Sequence, residues 1–161
     1  MTKPHLSAPQ PFEPEFIEGL RLVFEERIVF NHVLGLKLIA LSGTHVEGRI
    51  DMKPELVGHY LYNRLHGGVI GAALDAMGGV ACMGAIGARH MDEPPAKRLE
   101  RFAKLGTIDL RVDYLRPAIG EFFIAHAEVL RLGSRVASTR MEFRGPDGKL
   151  LATGAAAYII S

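Results

Sequence analysis

The chain has 161 residues, enough for one domain with a sizeable core, and it carries 19 Lys and Arg against 18 Asp and Glu, a formal charge of +1. That balance argues against broad nucleic-acid binding, which needs a basic face, while leaving room for a local basic patch. With Cys82 as the one cysteine no internal disulfide can form, and the opening MTKPHLSAPQPFEPEF has no apolar run of signal-peptide length, so a cytoplasmic location is expected.

Pro4, Pro9, Pro11 and Pro14 mark residues 1–13 as a flexible tail ahead of a single domain over 14–161. From Glu15 the apolar positions Phe16, Leu20, Val23, Phe24 and Ile28 repeat at helical spacing, with Pro14 suited to the first turn, and predict an amphipathic helix. The period then changes to two. Leu36 to Leu41 and His45 to Met52 read as a hairpin around Ser42-Gly43, with Val46, Ile50 and Met52 on one face. Residues 53–65 read as a loop.

Next comes a 22-residue stretch, Gly67 to Ala88, in which Asp75 is the only charged side chain. It is long enough to cross a membrane, but seven of its residues are glycine, and an acid near the middle costs about 2.5–3.5 kcal/mol to insert. No membrane insertion is expected; the stretch reads as the close-packing helix of a core. Residues 91–106, with Pro94-Pro95 and the cations Lys97, Arg98, Arg101 and Lys104, read as a solvated connection holding at most a short helix. From Thr107 the chain reads as an antiparallel meander. Ile108, Leu110, Val112 and Tyr114 alternate with Asp109, Arg111 and Asp113, which predicts one face on a core and one in water. Further strands are predicted at about 121–131, 134–144 and 149–160, the last two joined by the turn Gly145-Pro146-Asp147-Gly148. Strands on both sides of one long apolar helix predict an α+β domain, an antiparallel sheet curled around that helix.

The chemistry concentrates on that helix. A buried carboxylate is costly to keep without a task or a partner, so Asp75 is a functional-site candidate, with structural hydrogen bonding as the alternative. His66-Gly67-Gly68 precedes it at the predicted helix N-terminus, where backbone N–H groups are unsatisfied and glycines let an anion come close. His66 can orient a carbonyl or simply cap the helix, and Gly68 can permit close packing. At 1.5 Å per residue Gly67 and Asp75 lie about 12 Å apart along one helix, too far for one carbonyl group to touch both. If they serve one reacting centre, two copies must run antiparallel, which a C2 homodimer supplies. Elsewhere the signals are bland. Cys82 reads as inert packing, Gly78-Gly79 as a packing contact, and the spacing of His32, His45, His90 and His126 predicts no metal site.

The order helix, hairpin, Leu65-His66-Gly67-Gly68-Val69-Ile70, Asp75, then Thr107 to Pro117 with its Tyr114-Leu115-Arg116-Pro117 strand end, resembles the hotdog-fold thioesterases of the phenylacetate-degradation type over roughly residues 15–160. The resemblance implies a hotdog fold assembled as a homodimer or a dimer of dimers, hydrolysing acyl-CoA thioesters at the subunit interface. CoA is then part of the substrate and no cofactor is needed. It also implies that Asp75 is nucleophile or general base, that the Gly67 N–H polarises the thioester carbonyl, and that Thr107 holds the water. Strict alternation sets Thr107 opposite the Ile108 face, so this last role requires an irregular strand start. Relatives carry an Asn shortly before His-Gly-Gly; here His59 is the nearest match, with Asn63 second. For the CoA phosphates the cations on offer are Arg116 at a strand end and Arg131 and Arg135 around the Leu132-Gly133-Ser134 turn, where the Gly133 backbone can assist. The acyl group implied is fatty, of medium or long chain, or aromatic. A hotdog enoyl-CoA hydratase and a non-catalytic acyl-CoA binding or sensing module are the competing readings. The Asn-Pro element and the Asp-then-His dyad usual in such hydratases are missing here.

Overall fold

A computed structural model describes residues 12–161. Helix α1 (Pro14–Arg21) buries Phe16 and Leu20 at its i, i+4 spacing. It does not continue to Ile28 as one α-helix. Residues 22–27 form a wider π-helical turn that ends at Ile28 (ψ 87°), and α2 (Val29–Leu34) starts anew, closing on Gly35 in the left-handed region. Two side chains hold the break together. The buried Asn31 amide donates to the Phe24 carbonyl at 3.0 Å, and Glu25 accepts from the Leu38 N–H at 2.9 Å, covering an edge of the sheet.

The sheet has six antiparallel strands: β1 (Lys37–Leu41), β2 (His45–Asp51), β5 (Gly106–Tyr114), β6 (Phe122–Leu132), β7 (Val136–Arg144) and β8 (Leu150–Ile159). Their spatial order is β1-β2-β6-β7-β8-β5, which leaves β5 as a free edge. Residues 53–65, expected as a loop, fold into a small ribbon of β3 (Val57–His59) and β4 (Arg64–Leu65). A single 3-10 turn between them exposes Tyr60, Leu61 and Tyr62.

Helix α3 (Gly67–Arg89) lies across the sheet as the apolar stretch requires. It is long and apolar enough to cross a membrane, yet most of it is buried inside the domain, and Met77 to Gly87 is buried throughout. Its N-terminal half keeps one stripe open: Gly68, Gly71, Ala72, Asp75 and Ala76 recur at helical spacing and remain at least partly exposed. A long helix wrapped by an antiparallel sheet is the hotdog arrangement.

Three further expectations need correction. The tail does not run to residue 13: Phe12 is buried against Phe16, ring centroids 4.7 Å apart, while residues 1–11 lie outside the described part. The charged segment before β5 is not simply a solvated connection. It contains α4 (Pro95–Glu100), whose Arg98 is fully buried, its guanidinium 4.6 Å from the Phe16 ring centre and paired with Glu13. Arg98 also donates to the Gly87 carbonyl at 3.4 Å, near the α3 C-terminus, where the same oxygen accepts from the His90 N–H at 3.3 Å. Finally, the β5 register slips between Thr107 and Asp109, so Leu110 and Val112 stay half-buried while Ile108 is 56% exposed rather than on the core face. A bulge of this kind turns one side chain out of the alternation and re-aims its neighbour.

Candidate active site

Asp75 stands on the open stripe of α3, half-buried rather than sealed in the core. The β5 bulge aims Thr107 at it, and Thr107 Oγ1 donates to Asp75 Oδ1 at 2.8 Å. The irregular strand start that a role for Thr107 requires is therefore present. A second hydroxyl comes from β8. Tyr158 Oη donates to the Asp75 carbonyl at 2.8 Å and reaches Oδ1 at 3.3 Å. Burial, reinforced by the neighbouring Asp75 charge, pushes the Tyr158 phenol well above its ordinary range, so it remains a proton donor. Gly78 makes room for it: a Cβ there would land on the Tyr158 hydroxyl. The glycine read as a packing contact thus packs against a site residue.

Sequence reasoning missed Tyr158. The available signal was a lone hydroxyl-bearing aromatic ending the run Ala155-Ala156-Ala157 on the strand that faces Asp75.

Asp75, Thr107 and Tyr158 lie in the wall of a cavity of about 640 Å³. The rest of the wall is mostly apolar, built from Phe24 and Phe30 of the broken N-terminal helix, Gly79 and Met83 of α3, and Phe102 and Leu105 ahead of β5. The π-turn and the break at Ile28 carry one side of it. The segments that departed most from sequence expectation, 22–34 and 95–105, form much of this chamber.

The N-terminus of α3 has a different character. His66 Nδ1 accepts from the Gly68 N–H at 2.8 Å, so the imidazole is a helix cap and Gly68 is its donor. A Cβ at Gly68 would stand 2.9 Å from that nitrogen, which is why a glycine fits. The Gly67 N–H has no hydrogen-bond partner among the described residues. Tyr114 packs over Gly67 and donates to its carbonyl at 2.8 Å. Beside them a second cavity of about 390 Å³ is lined by Arg64, Gly67, Tyr114, Arg116 and Pro117, among others. Arg116 Nη1 donates to the Leu150 carbonyl at 2.8 Å, holding the guanidinium at that mouth.

The remaining candidates divide. β3 runs beside His66, whose N–H donates to the Leu56 carbonyl at 2.9 Å, so His59 belongs to the donor end of α3. Its ring stacks on Tyr60 and packs at a tilt against Tyr62, and its Nδ1 is buried without a partner among the described residues. Asn63 occupies the left-handed turn position (φ 46°) and is exposed. Arg131, Gly133 and Arg135 are not brought to Asp75. Arg89, at the far end of α3 and about 21 Å beyond Asp75 along the helix, donates to the Gly133 and Leu132 carbonyls of their turn. The Gly133 N–H is itself spent on the Val136 carbonyl at 3.0 Å. Cys82 is fully buried and its thiol is pushed up to about 12 by burial, the mark of an inert side chain.

A carboxylate held by two hydroxyls over an apolar chamber, and an open amide at a helix tip beside cations, are the two parts that hydrolysis of a long acyl ester requires. The comparisons agree with that geometry. A medium/long-chain acyl-CoA thioesterase of Salmonella typhimurium, YigI, is 37% identical over 146 residues, spanning 89% of this chain and 94% of its own length. The Escherichia coli K12 protein of the same name is 36% identical with the same coverage. Among solved structures, a Shewanella oneidensis protein related to the thioesterase superfamily superposes with a TM-score of 0.84 at 37% identity, covering 93% of this chain and all of its own. The family model described as thioesterase superfamily matches residues 62–152, a span that takes in His66, Gly67, Asp75 and Thr107. The chain belongs to the thioesterase superfamily.

Proposed function

We propose that this protein hydrolyses medium- and long-chain acyl-CoA to the free acid and CoA, at a centre completed by two copies of the chain. The observation that carries the reading is Asp75, hydrogen-bonded to Thr107 and Tyr158 and set in the wall of a largely apolar 640 Å³ chamber. That volume falls within the roughly 300–1,000 Å³ typical of small-molecule sites, and its lining suits a hydrocarbon chain. The relatives named for medium- and long-chain substrates support the same choice.

The chemistry follows from the leaving group. A thiolate departs readily, so the enzyme needs a base or nucleophile and a stabiliser for the oxyanion, and no strong general acid or cofactor. Asp75 takes the first role, either deprotonating a water bound alongside it and the Thr107 hydroxyl that it already accepts from, or attacking the carbonyl itself. The open Gly67 N–H, at the positive end of α3, takes the second.

Eight residues of helix separate these groups, about 12 Å, and they open into different cavities. A two-fold axis with the two α3 helices antiparallel brings Asp75 of one copy to Gly67 of the other. The surfaces such a pairing needs are present: the open small-residue stripe of α3, the free edge of β5 with exposed Ile108 and Tyr114, and the exposed Tyr60-Leu61-Tyr62 turn. Arg116, on the Gly67 side, meets the CoA phosphates, while Arg131 and Arg135 reach a centre only through further copies, as in a dimer of dimers. The enzyme acts in the cytoplasm, the compartment that suits its one reduced, buried cysteine.

Thiol release from acyl-CoAs of increasing chain length tests the reading. The native protein is expected to favour the medium and long chains and Asp75→Asn to lose at least about a hundredfold in rate. Equal release by both proteins contradicts it, and tight acyl-CoA binding with no release by either assigns a binding or sensing role instead.

A further inference from the structure

The outer face of the sheet, turned away from α3, carries a cluster that thioester hydrolysis does not use. His45 and Glu47 lie two residues apart on β2, and Glu47 stands directly opposite His126 in the β2–β6 ladder. Alternation along a strand puts all three side chains on the same face. His45 Nε2 and His126 Nδ1 lie 3.1 and 3.3 Å from one oxygen, Glu47 Oε1. The three atoms all fall within 4.8 Å of one another.

Those distances have a coordination meaning. A tetrahedral zinc ion with nitrogen and oxygen ligands at about 2.0–2.1 Å keeps its ligand atoms about 3.3–3.4 Å apart. Two edges of that figure already have nearly the right length, and a small rotation of the two imidazoles, whose centroids are 5.7 Å apart, closes the third. The donors are half-buried beside a shallow cavity of about 180 Å³ that Glu128, Arg140 and Glu142 also line. Glu128 pairs with Arg140 and Glu142 with Arg144, so the nearest cations are already neutralised. Spacing along the chain does not mark this trio, because its members meet across the β2–β6 ladder.

We propose that His45 Nε2, Glu47 Oε1 and His126 Nδ1 bind a divalent transition-metal ion of the zinc class, with water in the fourth position. The site is separated from Asp75 by the sheet and stands independently of the proposed hydrolysis. The competing account of the same distances is two imidazole N–H groups sharing one carboxylate, with no ion.

Zinc chloride titrated calorimetrically into tag-free, chelator-stripped full-length protein decides between them. The expected result is one saturable zinc per chain, at least roughly tenfold weaker in His126→Asn and in Glu47→Gln. Zinc should raise the melting temperature of the native protein and leave that of His126→Asn unchanged. Cobalt(II) as a probe should give the visible bands of a four-coordinate ion in the native protein alone. Should His126→Asn prove unfolded in the absence of metal, the more exposed His45→Asn takes its place and carries the same expectation. Absence of a saturable site overturns the proposal, as does an isotherm that the folded histidine variant leaves unaltered, which would assign the zinc to other histidines.

Discussion

The middle of α3 and its N-terminal tip share one helix but are built in opposite ways. At Asp75 the polar surroundings are occupied: two hydroxyls, from β5 and β8, hold the carboxylate, and an apolar chamber lies behind it. At Gly67 the cap is spent on the next residue, the Gly67 N–H is left open among the described residues, and the cavity beside it carries Arg64 and Arg116. On the proposed reading, one region supplies a base with room for an acyl chain and the other an oxyanion donor with cations for phosphates, so that each chain carries both halves of a centre but cannot bring its own two together.

Substitutions that disable one region at a time sharpen that contrast. The largest effect is expected from Asp75→Asn, which keeps the shape and removes the base, with kcat for thioester release falling about 10²–10⁴-fold. Gly67→Pro removes the donor at the first helical position, which proline favours, and the preceding His66 already has the extended backbone (φ −67°, ψ 135°) that proline demands; the added Cβ stands 3.3 Å from the Tyr114 ring, so Gly67→Ala, which adds the same Cβ and keeps the N–H, is its control. Relative to Gly67→Ala its kcat should drop about 10²–10³-fold; a rate equal to that of Gly67→Ala would remove the Gly67 N–H from the mechanism. Gly79→Leu probes the chamber. A Cβ there meets Leu105 and Tyr158 at 3.7 and 3.9 Å, ordinary contact, and the rest of the side chain fills the cavity. For long-chain substrates kcat/KM should fall roughly ten- to a hundredfold while short chains are spared. Thr107→Val removes one hydrogen bond to Asp75 and should lower kcat by about tenfold, with stability unchanged at this exposed position. The smallest effect belongs to His66→Ala: loss of the cap should cost about 1 kcal/mol in denaturant unfolding.

The same contrast explains what the sequence made legible. His66-Gly67-Gly68 and the isolated Asp75 announce themselves because they break the composition of an otherwise apolar helix, and the 12 Å between them follows from helix geometry alone. The sheet was legible from β6 to β8, where alternation holds over most of each strand. What escaped depends on departures from regularity. The β5 bulge aims Thr107 at Asp75 and turns Ile108 outward, and no periodicity marks a bulge. The π-turn at 22–27 and the break at Ile28 build a chamber wall, although the spacing of Phe16 to Ile28 reads as one helix. Arg98 looks like any member of a charged run, yet its charge is met by Glu13 and the Phe16 ring, contacts between segments distant in sequence. Tyr158 is reached through the absence of a side chain at Gly78, a relation that only packing reveals.

Subunit complementation tests most directly whether the two regions belong to one shared centre. Asp75→Asn and Gly67→Pro, each inactive alone, are unfolded together and refolded as a mixture. A mixed dimer pairs the intact Asp75 of one copy with the intact Gly67 amide of the other at one of its two centres, so random assembly should recover about a quarter of the native rate. A mixture no more active than its two inactive parents, with mixed dimers demonstrably formed, would contradict the account.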